Sequence, residues 1–487
     1  MCLNNISTNN IWKNKYRALL FVLILIAMSL NNFTLVEASQ VSNNESIVPL
    51  KDKYIAFEGR DIDGEAIDSE GILNYSQYLS EKISGKESIT NNIEIPLKDV
   101  KDKSGNSVSL EEFEGKQGFL WTEDTNYIEF DIDMPEDGLF YIEFDYYLQS
   151  GTSIAANRSM TIDGKYPFIE ANDLIFYRYF KDQGEPIINS LGDETRPSQT
   201  EVTGWRTQKI TNSSGFYEDP FKIYLEQGKH TFRIDYIQAD MRIAGIRLVS
   251  EDLLLPYEEV KENYIKEGYQ MASVESIDFQ AELTTLEKND PTLRRENDGD
   301  PLVVPHSATQ RLLNVMGGYR WRSGNQKITW EFEVPEDGLY KIAARVKQEW
   351  QDGIPSYRKI EIDDNVPFKE MNSYQFDYSK QWNTVELSDE DGQAYEFYLT
   401  AGTHTLSMTT KFGPMTPIIE SINDDIELLS EILLNISLIA GSEPDPNYDY
   451  GFFDKIPNMK ENMEKLADSM QWKHDELKKI SDNLPAM

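Results

Sequence analysis

The sequence predicts a mainly β chain: two tandem β-sandwich modules with helical linkers and a C-terminal αα-hairpin. Three observations predict it. The turn "PEDGL" stands at 135–139 and again at 335–339, each time between runs of alternating apolar and polar residues. Residues 118–176 align with 318–376 without a gap and share 18 identities in 59 positions, where ordinary residue frequencies would give roughly three or four. Beyond Ser421 the apolar period changes from two to three and four, the spacing of amphipathic helices.

The elements follow in chain order. Lys13, Lys15 and Arg17 precede the apolar stretch 18–30, and Val36-Glu37-Ala38 offers small residues for cleavage. Residues 1–38 therefore read as a secretory signal peptide, since 13 apolar residues are short for a membrane span. Residues 39–90 are polar, with a short helix expected around 68–82. Module 1 occupies 91–250, entering through a strand at 93–97. In it, Ile128, Phe130, Ile132 and Met134 alternate before the first PEDGL, and Phe140, Ile142, Phe144 and Tyr146 alternate after it. Apolar residues at every second position put one strand face on a core. Pro135 ends the ladder and Asp-Gly tolerates a tight turn, so each PEDGL copy reads as a β-hairpin with one wet face.

An insertion, Lys181 to Gly204, interrupts module 1 before the register resumes at Trp205/Trp382 and at His230/His404. Residues 251–275 form a helical linker, "PYEEVKENYIKEG", stopped by glycine. Module 2 runs from 276 to 421. Within the helical region 422–487, Ile422, Ile426, Leu429, Leu433 and Ile436 form one stripe. Ile456, Met459, Met463, Leu466, Met470, Leu477 and Ile480 form the other.

Composition limits the function. A net charge of −37 argues against nucleic acid and anionic membrane as partners. The acids read first as a solvated surface, with calcium binding as the minority reading. Cys2 lies ahead of the apolar stretch, so no later cysteine is available for a lipid anchor or a disulfide. No zinc, phosphate-loop or nucleophile-elbow motif occurs, and a non-enzymatic role is expected.

The stretches "PEDGL", "DGKYPF", "DDNVPFKE", "LPYEEV" and "SEPDPNYDY" carry a resemblance. The modules resemble carbohydrate-binding modules of the galactose-binding-like, jelly-roll type. Their order over residues 50–482 is similar to the N-terminal half of large extracellular solute-binding proteins of Gram-positive sugar ABC transporters. The resemblance implies a secreted, non-catalytic protein that binds oligo- or polysaccharide. Its implied partners are a transporter permease or a separate solute-binding domain. The family's two α/β sugar-binding lobes have no counterpart in this sequence, which leaves a truncated, split or free-standing version open. No cofactor is required by this reading. In related sandwiches an acid on the first strand helps hold a structural calcium; Glu282 fits that place in module 2, while module 1 has Lys98 there.

Sugar rings offer apolar C–H faces, so candidate sites need flat aromatics and a few orienting polar groups. The tryptophans repeated in register, Trp121/Trp321 and Trp205/Trp382, read as packing residues, because duplication preserves a core. Loops drift, which points instead to Trp350 and Tyr357 in "EWQDGIPSY" and to Tyr177 and Tyr179 beside the insertion. Arg158 and Arg358 are open between clamping sugar hydroxyls and pairing with Glu170 and Glu370. His230 and His404 read as structural. A cell-surface scaffold making only protein contacts is the alternative, and an accessory chain to a glycoside hydrolase or lyase ranks third.

Overall fold

The PEDGL stretches are corners between two layers, and not hairpin turns. The computed structural model describes residues 72–151, 154–274, 276–350, 353–441, 444–445 and 447–481, all within one compact unit, Glu58–Met487. The expected signal peptide lies outside the described residues. Tyr127–Met134 pairs with Gly228–Gln238 in one sheet, and Gly138–Leu148 pairs with Met241–Val249 in the other. The expected hairpin is therefore corrected. Alternation correctly marks the buried face of both strands, but periodicity carries no information about which strand is the neighbour.

Each residue of the motif has a function at this corner. Pro135 ends the ladder, and the Glu136 carboxylate accepts the Thr90 N–H at 2.7 Å. Asp137 accepts the Gln227 N–H at 2.6 Å. A Cβ on Gly138 would stand 2.8 Å from Ile89 Cγ2, because Leu139 exchanges backbone bonds with Glu87 and Ile89. The second copy repeats the arrangement. Glu336 accepts from Ser273 and Asp337 accepts from Ala401. Gly338 lies under Ala272, and Leu339 bonds Gln270 and Ala272.

Module 1 is a sandwich of a five-stranded and a seven-stranded sheet. Its core includes Phe130 stacked on Phe232, with ring centroids 5.4 Å apart, and Phe144 edge-on to Phe176. The segment ahead of each module belongs to its core. Tyr75 packs on Phe168 and Phe221, and Tyr257 packs on Phe368 and Tyr395. Glu170 receives the Tyr75 N–H at 2.8 Å, and Glu370 the Tyr257 N–H at 3.0 Å. The helix Tyr257–Glu267, expected as a linker, is thus docked on module 2, and Gly268 ends it at φ 75°.

Module 2 departs from module 1 in two ways. The insertion supplies the hairpin Tyr179–Asp182/Gln199–Val202, which joins the edge of the module 2 sheet where Phe180 meets Lys288. Lys288 Nζ donates to Asp182 at 2.9 Å, and Arg206 forks onto Glu287 at 2.7 and 2.6 Å. Secondly, among the described residues no strand takes the place of Met241–Val249. After Gly402–Lys411 the chain instead enters the helix Thr416–Ala440, six residues earlier than the expected 422. Pro417 suits a first helical turn and lacks the N–H that a central strand must donate. The second layer of module 2 consequently consists of separate strand pairs, Gly338–Tyr340 with Phe397–Leu399 and Ala343–Gln348 with Ser379–Glu386.

The C-terminal helices Thr416–Ala440 and Met459–Ile480 form the expected hairpin. Asp425 accepts from Lys473 Nζ at 2.7 Å and from Ser469 Oγ at 2.9 Å between them. Ile456, Met459, Met463 and Leu466 are buried, but Ile422, Ile426 and Leu433 of the first stripe are exposed. No described helix is long and apolar enough to cross a membrane.

Candidate functional site

The residues repeated in register build the scaffold of the loops. Trp121 is fully buried, and its Nε1 donates to Asn126 O at 3.2 Å. Trp321 Nε1 donates to Gln326 O at the same distance. Arg158 and Arg358 lie over these rings at 4.4 and 4.3 Å. Arg158 also donates to the carbonyls of Asn157, Gln238 and Ala239, and Arg358 to those of Tyr357 and Trp321. Both arginines brace backbone inside the sandwich, whereas clamping a sugar requires an open guanidinium. Glu170 and Glu370 are occupied instead by the N–H groups of Tyr75 and Tyr257.

Trp205 and Trp382 are half-buried. Trp205 Nε1 donates to Glu114 O at 3.1 Å, and Trp382 Nε1 to Asp298 Oδ2 at 3.0 Å. Each repeated histidine has two acceptors. His230 Nδ1 meets Asp163 at 2.7 Å and Nε2 meets Glu226 O; His404 Nδ1 meets Asp363 at 2.6 Å and Nε2 meets Thr400 O. A ring with two acceptors makes both bonds only when protonated. Partial burial opposes the charge, but these bonds outweigh it and raise both histidines above the usual range.

The remaining expected site residues fall in different places. Tyr357 is buried, with its hydroxyl donating to Gln375 at 3.0 Å and its ring against Gly413. That placement corrects its reading as a loop contact. Tyr177 and Tyr179 are half-buried at the junction of the modules, where they line a small recess with Tyr146, Arg178, Glu201 and Arg206. The Arg206 guanidinium stands 4.3 Å from the Tyr179 ring, so that face is already covered. Glu282 is buried, and burial raises its carboxyl pKa while Arg295 opposes the shift. A neighbouring guanidinium does not favour a bound cation. Among the described residues no group of three or more His, Cys, Asp or Glu side chains is gathered to hold a metal.

Trp350 alone of the loop candidates lies open, at 56% exposure, and it has an unforeseen neighbour. Tyr319, 44% exposed, stands with its ring centroid 5.7 Å away and its plane tilted by 50°. The exposed guanidinium groups of Arg320 and Arg322 lie 5.5 and 5.3 Å from the Tyr319 ring. These four side chains form a surface platform in module 2.

The scaffold explains why the platform exists here. Tyr319 rides on the single 3₁₀ turn Gly318–Arg320, entered through Gly317 at φ 95°. Any Cβ on Gly317 would stand 2.9 Å from the Trp321 ring. Gln326 Oε1 then accepts the N–H groups of Arg322 and Ser323 at 2.8 and 2.9 Å. On the other side, Gln348 Nε2 donates to Trp350 O at 3.0 Å. In module 1 the matched residue Phe119 is buried, held in the strand Lys116–Trp121 opposite Ile243. Without a partner strand like Met241–Val249, the matched segment of module 2 curls and releases Tyr319 to solvent.

Comparison with known proteins adds the following. Residues 417–486 match the family model of the bacterial solute-binding protein, 4-helix bundle domain. No curated protein matched the chain. Among solved structures, the chain is similar to a family 35 carbohydrate-binding module from Clostridium thermocellum, at 16% identity over 33% of this chain and 100% of that one, with a TM-score of 0.21. It is similar to the family 35 module of Paenibacillus barcinonensis, at 15% identity over 34% of this chain and 97% of that one, with a TM-score of 0.15. It is also similar to the Podospora anserina GH26-CBM35 β-(1,4)-mannanase, at 11% identity over 40% of this chain and 34% of that one, with a TM-score of 0.18. Identities and TM-scores this low do not place the chain with any of the three.

Proposed function

We propose that this protein is a secreted, non-catalytic carbohydrate-recognition protein, accessory to solute uptake, and that module 2 holds the saccharide on Tyr319 and Trp350. The observation that carries the reading is the pair of exposed rings, set on loops whose backbone is anchored by half-buried Trp321 and Arg358 and by buried Gln326. Two aromatic faces inclined to one another suit the apolar faces of successive sugar residues, and flanking guanidinium groups suit their hydroxyls. Rigid placement lowers the ordering cost of binding. The match of the C-terminal helices to a solute-binding bundle model supports a role beside uptake.

Retention of the chain on a panel of immobilised polysaccharides tests this. Trp350→Ala weakens retention and leaves the melting temperature unchanged, because half of that ring already faces water. Trp321→Ala lowers the melting temperature first. Absence of retention on every glycan at millimolar concentration contradicts the proposal. Exposed Ile422, Ile426, Leu433 and Leu438 on the Thr416–Ala440 helix favour a second reading, a scaffold that docks other proteins. That reading predicts that helix-face substitutions change association while platform substitutions change nothing.

A further inference from the structure

The chain carries 84 acidic and 47 basic residues, and many of its arginines meet a carboxylate. Arg178 pairs with Glu201, Arg206 with Glu287, Arg242 with Glu111 and Arg247 with Asp145. Arg320 and Arg322 differ. Both are exposed, both lean on the Tyr319 ring, and among the described residues neither has a carboxylate partner. Two like charges beside one aromatic ring repel each other, and a strongly acidic chain has ample means to neutralise them. Guanidinium groups present a planar fork that fits a carboxylate through two parallel hydrogen bonds. A ring stacked on Tyr319 and Trp350 would carry its carboxylate at its rim, beside that fork.

We infer that the platform selects acidic saccharides, with Tyr319 and Trp350 stacking a uronic-acid ring and Arg320 and Arg322 receiving its carboxylate. This rests on the carbohydrate reading of the same platform. The neutral hydroxyls of an ordinary hexose do not call for two unpaired cations, whereas the single carboxylate of a uronate neutralises one of them and can be shared between the two. The pairing is exposed to water, so it weakens with salt.

The test is retention in affinity electrophoresis of the full chain on polygalacturonate, alginate and glucuronoxylan, each beside the same polymer with its carboxyl groups reduced to alcohols. At least one native acidic polymer retains the protein about tenfold more tightly than its reduced form. Arg320→Gln/Arg322→Gln and Trp350→Ala each remove about tenfold of that affinity, with melting temperatures unchanged. Sodium chloride weakens retention of the wild type more than that of the arginine variant. Equal retention on native and reduced polymers, with no effect of the arginine variant, overturns the acidic preference and leaves the carbohydrate reading standing. Acid-dependent retention that Trp350→Ala does not change places the binding elsewhere and overturns the inference. If no native, reduced or neutral polymer retains the protein, the carbohydrate reading fails and the acidic preference with it.

Discussion

Replacing Lys288 by Met tests whether the insertion truly joins the two modules. Lys288 is 1% exposed, and its Nζ stands 2.9 Å from Asp182 of module 1. Burial holds the ammonium pKa below its ordinary value, and Asp182 restores only part of the shift. Removing one partner of a buried pair generally costs about 3–5 kcal/mol, because the other charge is left uncompensated. Asp182 keeps Arg295, whose Nε is 3.3 Å from its second oxygen, so the expected cost falls to roughly 2–3 kcal/mol. Urea unfolding followed by tryptophan fluorescence measures it. The single variant unfolds at lower urea, and module 2 separates from module 1 as an earlier transition. The double variant Asp182→Leu/Lys288→Met removes both charges but strands buried Arg295 without its carboxylate, so it does not return to the wild type. If Lys288→Met costs nothing, the buried pair does not couple the modules.

Three further outcomes follow from the same geometry. Glu420 has its carboxyl pushed up to about 7, first by burial and then by Glu218, Asp424, Asp219 and Glu170. A carboxyl raised in the folded state favours folding at low pH and loses that contribution between about 4.5 and 7. Discounted for its partial exposure, Glu420→Gln should stabilise by roughly 1–2 kcal/mol at pH 8 and by little at pH 5, read from thermal melts. His404 has the opposite charge type: with its folded pKa raised, its contribution is complete below the unfolded value and is lost as pH rises through the folded one. His404→Gln therefore lowers the melting temperature more at pH 5.5 than at pH 8.5. Gly338→Ala places a Cβ 2.9 Å from the Ala272 backbone nitrogen, and overpacking of this kind costs about 1–3 kcal/mol by denaturant titration.

What the sequence revealed depended on which physical signal each feature leaves. Alternation at 128–134 and 140–148 leaves a clear signal of faces, and those faces are buried as read. It leaves none of pairing, so the PEDGL corners passed for hairpins. Repetition marked Trp121 and Trp321 as packing residues and the histidines as structural, since a shared core is what two copies retain. The same logic assigns Tyr319 to the core, because its partner Phe119 is buried. Among the described residues of module 2 no strand takes the place of the one that covers Phe119, which leaves Tyr319 exposed, and that difference is signalled only by Pro417 and the helical period downstream. Arg320 and Arg322, in "GGYRWRSGN", were legible as charges but not as neighbours of Trp350, which lies 28 residues beyond Arg322 in the sequence. The insertion, rich in Gly, Pro and acids, carries no clear strand period. Its strands Tyr179–Asp182 and Gln199–Val202 are stabilised by module 2, a partner that local sequence does not name.

Hydroxyl-radical footprinting of the chain with and without a saturating glycan tests the central claim most directly. The account predicts that Tyr319 and Trp350 lose reactivity together in the complex, while Trp121, already buried, and Trp205 are unchanged. Protection at Tyr177 and Tyr179 in the junction recess, with Tyr319 and Trp350 as reactive as in the free protein, would contradict it.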